Sequence, residues 1–268
     1  MEWLPSWLVE SGPFEWICEI EPPTRPDVMH VRHQIGVMSR IASGYLIPDN
    51  HVGRATVSSV AVAHEVDQMG GRSIACLNAR DRNMLGFRRD LLTGAAYGVD
   101  EFLFVFGDDP SSGGRTGHLT VRSMIEELRS FGDGADLGGR TFRAGVTTRL
   151  TAVPAWKREA DFIFIQVSFS LDRLLAWRDT IDFAGPLYAG VMVLPSAPMA
   201  RKLTADIPQI EIPDQWLKAV EADPKAGVEL ACQLAQAIKD SGAFGGVHVI
   251  PGVRYRETAA RLEAMVER

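Results

Sequence analysis

Short apolar runs of strand length alternate with longer segments of helical periodicity, and this pair of patterns occurs eight times along the chain. The runs are rich in Val, Ile, Leu and Phe without strict polar alternation, as expected for parallel strands covered by helices. Eight strand–helix units predict a single α/β domain, a (β/α)8 TIM barrel. The predicted strands are Phe14–Glu21, Gly44–Pro48, Ser73–Asn78, Glu101–Gly107, Thr141–Thr148, Asp161–Phe169, Leu187–Leu194 and Gly246–Ile250.

Helical segments fill the gaps between these strands. The connection after the fifth strand is short and contains Pro154, so we expect at most a vestigial helix there. No linker or composition shift divides residues 1–268, and no GxGxxG motif follows the first strand, which disfavours a doubly wound fold. The predicted helices are Pro26–Ala42, Ala55–Met69, Met84–Tyr97, Leu119–Phe131, Leu171–Asp182, Pro213–Ser241 and Arg254–Glu267.

Composition restricts the partners and the compartment of the protein. The 28 Lys and Arg residues are outnumbered by 34 Asp and Glu residues, so we expect no nucleic-acid binding. The three cysteines lack CxxC spacing, which predicts no disulfide framework and favours a reducing cytoplasm. The six histidines show no metal-ligand spacing, so no metal is expected. The amino-terminal segment has no early basic residue, and no apolar run approaches about 18 residues, so we expect neither a secretory signal nor a membrane span.

Polar residues follow nearly every predicted strand at its carboxyl end, where (β/α)8 enzymes build their active sites. Glu19 and Glu21 share one face of the first strand. A carboxylate inside a barrel is costly unless it is paired or takes part in chemistry, so Glu19 is either a general acid or the partner of a cation. We expect Glu21 at the solvated rim.

Three further residues are candidates for contact with a flat, nitrogen-rich ring. Asp108 follows Gly107, and its carboxylate can accept hydrogen bonds from the N–H groups of a pterin or purine. Gln166 follows a strand that is expected to be buried, so its amide needs either the amide-like edge of a substrate or neighbouring backbone as a partner. Phe169 is either a stacking wall for the ring or a core residue.

Four segments resemble methylenetetrahydrofolate reductases, in the same order along the chain. They are EIEPP (19–23), the segment from RDRN (80–83) to GDDP (107–110), DFIFIQVSF (161–169) and GGVHVIPG (245–252). The resemblance implies an oxidoreductase of one-carbon metabolism. Such an enzyme reduces 5,10-methylenetetrahydrofolate to 5-methyltetrahydrofolate with hydride that passes from NAD(P)H through FAD.

The resemblance also implies roles for the candidate residues. Glu19 matches the general acid that protonates a nitrogen as the imidazolidine ring of the folate opens. Asp108 matches the aspartate that contacts the pterin and influences the flavin, Gln166 matches the pterin-binding glutamine, and Phe169 matches part of the aromatic wall. The candidates for cofactor contact are Asn78, Asp108 and Thr148.

Departures from the family pattern lie on the flavin side. Cys76-Leu77-Asn78-Ala79 stands where the family commonly has His-Leu-Thr-Cys, and Thr147-Thr148-Arg149 replaces a Pro-Glu-His stretch that is followed by a lysine-bearing helix. Three hypotheses remain open. The chain is a reductase with an unusual FAD site, a reductase that takes hydride directly from a nicotinamide or from a deazaflavin-like carrier, or a non-catalytic, partner-dependent folate-binding subunit. Family habit predicts a homo-oligomer or an assembly with a partner subunit.

Overall fold

Eight parallel strands pair in chain order in the computed structural model, and the pairing of β8 with β1 closes the ring. The structure describes residues 12–50, 53–108, 114–134, 140–207 and 209–266. The predicted (β/α)8 barrel is confirmed. The strands are β1 (Glu15–Glu19), β2 (Gly44–Ile47), β3 (Ser73–Asn78), β4 (Glu101–Val105), β5 (Arg143–Thr148), β6 (Phe162–Ile165), β7 (Leu187–Met192) and β8 (Gly246–Ile250).

Helices surround the ring, and the connection after β5 contains only a five-residue 3₁₀ helix, Ala155–Glu159. None of the described helices is long and apolar enough to cross a lipid bilayer. The α-helices are α1 (Met29–Met38), α2 (Ser59–Gln68), α3 (Met84–Tyr97), α4 (Val121–Gly134), α5 (Leu171–Arg178), α6 (Ala197–Asp206), α7 (Asp214–Ala222), α8 (Ala226–Asp240) and α9 (Tyr255–Val266).

The helices between β7 and β8 differ from the prediction in two ways. The segment predicted as one helix, Pro213–Ser241, forms α7 and α8, because Pro224 lies between them and a proline disfavours helical continuation of the preceding residue. Helix α6 was not predicted. It begins after Ser196, whose hydroxyl accepts a hydrogen bond from the backbone N–H of Met199 at 3.4 Å.

Aromatic rings fill the middle of the barrel beneath its carboxyl end. Phe162, Phe164 and Tyr188 belong to a buried interior cluster, and the rings of Phe164 and Tyr188 lie 4.7 Å apart. The neighbouring strand makes room for them, since a Cβ atom at Gly145 would lie 1.9 Å from the ring of Phe162. Glycine at position 145 therefore allows the close-packed aromatic layer.

Paired charges occupy the amino-terminal end of the barrel. Arg72 donates hydrogen bonds to Glu101 at 2.7 and 2.9 Å and to Glu15 at 2.5 Å, and the hydroxyl of Tyr188 also donates to Glu15. Hydrogen bonding to Glu101 is the main cause that raises the pKa of Arg72. These charged groups satisfy one another, as buried ions must if they are to contribute to stability.

We expect Gly145→Ala to destabilise the fold by about 1–3 kcal/mol, because the added methyl group overlaps the ring of Phe162. Urea unfolding followed by circular dichroism measures the change. Gly36→Ala is the control, because position 36 is exposed in α1 and a Cβ there meets no atom closer than 3.9 Å. The control variant should be unchanged or more stable, and equal stability of both variants would contradict the packing argument.

Candidate active site

A cleft of about 980 Å³ opens at the carboxyl ends of the strands. Glu19, Asp108, Thr148 and Gln166 line it, so four of the predicted site residues face one opening. Phe164 and other interior side chains form its floor. A smaller cavity of about 560 Å³ lies at the amino-terminal end, and none of the predicted site residues lines it.

Glu19 and His248 form a close pair in the wall of this cleft. His248 in β8 pairs in register with Ile17 of β1, and Nε2 of its imidazole lies 3.2 Å from Oε2 of Glu19. The imidazole is 7% exposed, and its Nε2 makes no hydrogen bond within the part of the chain that the structure describes. The ring of Phe164 packs edge-on against it at 5.2 Å. Within the described residues, the pairing with Glu19 is therefore the polar contact of this nitrogen in the cleft wall.

His248 was not predicted as a site residue, because the spacing of the six histidines indicates no metal site and its strand position alone assigns it no role. The available signal was a histidine between two valines of the last strand, at the same inward-facing parity as the barrel interior. Among the described residues, no group of three His, Cys, Asp or Glu side chains is arranged to hold a metal ion.

Asp49, which was not predicted, is held in the cleft wall by a buried network. Its Oδ2 accepts hydrogen bonds from the backbone N–H of Asn78 at 2.9 Å and from the side-chain amide of Asn78 at 2.6 Å, and it also pairs with Arg82. The carbonyl oxygen of the Asn78 side chain accepts from the backbone N–H of Asp81 at 2.9 Å. Asn78 is fully buried and does not line the cleft, and its side-chain amide instead orients Asp49.

Cys76 lines the cleft at the position where the resemblance leads one to expect a histidine. Burial raises the pKa of its thiol well above the ordinary value, and the nearby carboxylates of Glu19 and Asp49 add to this shift. The side chain is therefore a neutral thiol near neutral pH, with little nucleophilic character.

Phe106, rather than Phe169, is the aromatic side chain that the cleft exposes. Phe169 is only 4% exposed and packs edge-on against Trp216 at 5.0 Å in the helical layer. The prediction of Phe169 as a ring-stacking wall does not fit this position. The reason is that β6 already ends at Ile165, and Phe169 directly precedes Ser170, the N-cap of α5. Phe106 is 49% exposed and lines the cleft after β4, where Asp108 also lies.

The ends of β5 and β6 provide the opposite wall. The backbone N–H of Gln166 donates to the carbonyl of Thr148 at 2.8 Å, which leaves the side-chain amide of Gln166 at the cleft surface. The buried hydroxyl of Thr148 donates to the carbonyl of Arg149 at 3.2 Å.

Lys157, which was not predicted, lies in the 3₁₀ helix and donates from Nζ to the carbonyl of Thr147 at 2.7 Å. This wall therefore combines an amide with cationic groups, whereas Glu19 and Asp49 lie across the opening.

Comparisons with known proteins identify the family of this architecture. A family model described as methylenetetrahydrofolate reductase matches residues 16–252. No curated protein sequence matches the chain.

Solved structures share the fold at low sequence identity. A protein from Clostridium thermocellum that binds two copies of 5-methyl-5,6,7,8-tetrahydrofolic acid has a TM-score of 0.63 and 12% identity, with 97% of each chain covered. The spore cortex-lytic enzyme SleL of Bacillus cereus has a TM-score of 0.56 and 12% identity, over 94% of this chain and 74% of that one. A chain of the tryptophan synthase complex of Pyrococcus furiosus has a TM-score of 0.53 and 12% identity, over 94% and 96%. These likenesses show the fold alone.

We expect the cysteine thiols to react slowly with Ellman's reagent in the native protein at pH 8. Burial raises the pKa of Cys18 and Cys232 to about 12 and that of Cys76 well above its ordinary value. Since the folded-state pKa values lie above the assay pH, the thiols stay protonated, and they become reactive once the chain is denatured. Rapid labelling of one native thiol, identified by mass spectrometry, would contradict this assignment.

Proposed function

The chain belongs to the methylenetetrahydrofolate reductase family, and from this we propose that it reduces 5,10-methylenetetrahydrofolate to 5-methyltetrahydrofolate with hydride from NAD(P)H. The observation that carries the proposal is the cleft that gathers Glu19 at the end of β1, Asp108 after β4 and Gln166 after β6. The methyltetrahydrofolate bound by the Clostridium thermocellum protein supports folate as the ligand class. A cytoplasmic location and assembly into a homo-oligomer, or with a partner subunit, belong to the same proposal.

Recognition of the pterin combines hydrogen bonds to its polar edge with stacking against its flat ring. The side-chain amide of Gln166 offers one acceptor and one donor group, and Asp108 offers a carboxylate that accepts from ring and amino N–H groups. Phe106, whose ring centre lies 5.4 Å from the Arg115 guanidinium, is half-exposed in the same cleft, which suits stacking against a flat heterocycle. In this arrangement the protein fixes the orientation of the pterin before the reaction.

Proton delivery falls to Glu19. Reduction of the methylene bridge adds one hydride to its carbon and one proton to the ring nitrogen whose bond to that carbon breaks. Glu19 in its protonated form supplies this proton as a general acid and becomes a carboxylate. His248 lies 3.2 Å from that carboxylate and acts as a positioning residue that stabilises it until a solvent proton restores the acid.

A flavin site of the family's kind does not fit the described residues. The amide of Asn78 is occupied by Asp49 and Asp81, and Cys76 stands in place of the family's histidine. The connection after β5 provides one 3₁₀ turn, from which Lys157 bonds back to Thr147. We therefore propose direct hydride transfer from the nicotinamide.

A second candidate is a folate-binding subunit that depends on a partner for electrons. The same asymmetry favours it, because the folate-side residues Asp108 and Gln166 face the cleft whereas Asn78 does not. Such a subunit binds 5-methyltetrahydrofolate but does not oxidise NAD(P)H on its own. Turnover by the purified chain distinguishes it from the reductase.

The purified protein is expected to show no visible flavin absorbance and to oxidise NADH or NADPH only when methylenetetrahydrofolate is added. Absorbance spectra before and after denaturation, followed by an anaerobic assay of each nucleotide, test both points. A yellow chromophore released on denaturation would contradict direct transfer. Folate binding without turnover would favour the partner-dependent subunit.

Glu19→Gln should lower kcat by about 100-fold or more, since an amide cannot deliver the proton. The dissociation constant of 5-methyltetrahydrofolate should change little, because the pterin contacts lie on other strands. Steady-state kinetics and calorimetric binding measure the two quantities. Glu21→Gln is the matched control, because Glu21 is exposed and does not line the cleft. Loss of activity in both variants, or in neither, would remove Glu19 from the proposed role.

A further inference from the structure

We propose that the shortened connection after β5 forms an anion subsite, in which Arg149 and Lys157 bind a phosphate or carboxylate group of a ligand in the cleft. This inference rests on the proposed function and deepens it, since it assigns the charged part of a ligand to a wall of the same site. Both residues line the cleft, one at the end of β5 and the other in the 3₁₀ helix.

Lys157 is held in place with hydrogen-bonding capacity left over. Its Nζ donates to the carbonyl of Thr147 at 2.7 Å and lies 5.5 Å from the centre of the Trp156 ring. An ammonium group has three donors, and among the described residues the carbonyl of Thr147 is the acceptor for one of them. The remaining donors are available to an anion in the cleft.

Arg149 increases the positive charge at the same place. Burial lowers the pKa of Lys157, and the proximity of the Arg149 guanidinium lowers it further. Neither cation forms an ion pair with a carboxylate in the described ranges. Two neighbouring cations that lack a counter-charge repel each other, and an anion bound between them removes this repulsion.

Arg82, which supports Asp49 in the cleft wall, is neutralised by the protein itself, since it pairs with Asp49 and with Asp90 at 2.8 Å. A purely structural role for Lys157 would call for a similar carboxylate partner, because a partly buried charge is costly without one. The arrangement of Arg149 and Lys157 is typical of a site in which a ligand supplies the negative charge.

The position of the subsite restricts the ligand. It adjoins Gln166, whose backbone N–H bonds to the carbonyl of Thr148 at 2.8 Å, and it lies across the ring of strands from Glu19 in β1. A ligand that reacts near Glu19 can place an anionic end here. Both the diphosphate of a nicotinamide dinucleotide and the glutamyl carboxylates of a folate have the required oxyanion chemistry.

Calorimetric titration with two unreactive probes, inorganic pyrophosphate and p-aminobenzoylglutamate, tests the subsite. We expect at least one probe to bind the full chain and to lose about tenfold or more in affinity in Lys157→Met and in Arg149→Gln. Arg158→Gln is the matched control, because it removes the same charge from an exposed position of the same 3₁₀ helix that does not line the cleft. Its affinity should stay within about twofold of wild type, as expected for a screened surface charge.

The two probes distinguish the source of the anion. Dependence of pyrophosphate alone on these residues assigns the subsite to the dinucleotide, and dependence of p-aminobenzoylglutamate alone assigns it to the folate tail. Dependence of both supports a subsite shared by the two ligands. Probe affinities that are the same in wild type, Lys157→Met and Arg149→Gln, or no binding of either probe, overturn the proposal. Since Arg149 is exposed, its variant keeps the test valid if Lys157→Met does not fold.

Failure of the proposed function gives a different result. It appears as absence of methylenetetrahydrofolate-dependent NAD(P)H oxidation, which the probe titrations do not measure. Probe binding that depends on Arg149 and Lys157 would support the anion subsite even in a protein without turnover. Turnover together with probe affinities that are unchanged in the Arg149 and Lys157 variants would support the reductase and contradict the subsite.

Discussion

Pairing of β8 with β1 is the constraint on which the site depends. It brings His248, near the end of the chain, beside Glu19 near its beginning, because the register of the two strands places both side chains on the inner face. Closure also leaves no free strand edge, so the carboxyl ends of all eight strands surround one opening. The aromatic layer of Phe162, Phe164 and Tyr188 fills the ring below and forces the polar groups above it towards that opening.

The charged side chains at the two ends of the barrel differ in their partners. At the amino-terminal end, Arg72 is satisfied by Glu15 and Glu101, so the charges there serve the fold. At the carboxyl end, Nε2 of His248 lies 3.2 Å from Glu19 without forming a hydrogen bond among the described residues, and Lys157 has no carboxylate partner there. Stability alone does not favour such groups, since unpaired polar atoms in partly buried positions are costly. A ligand that forms hydrogen bonds or ion pairs with these groups would remove this cost.

Within the cleft, the strand ends that keep the family pattern and those that depart from it lie on different parts of the ring. Asp108 and Gln166 face the opening as the family resemblance implies, while the residues around β3 and β5 follow another design. The side-chain amide of Asn78 hydrogen-bonds to Asp49, and Lys157 of the shortened connection hydrogen-bonds to the carbonyl of Thr147 near the end of β5. The strand ends of one half of the barrel can thus keep the family pattern while those of the other half differ, because each strand end contributes its side chains independently.

The sequence by itself determined the order of the strands, the short connection after β5 and the polar residues at the strand ends, because these features follow from local periodicity and composition. Only the tertiary structure decided which side chains meet. Phe169 turns into the helical layer because α5 begins just after it, Phe106 is exposed in its place, and His248 joins Glu19 only because the ring closes. These outcomes depend on strand register and on the packing of residues distant in sequence, which local periodicity does not encode.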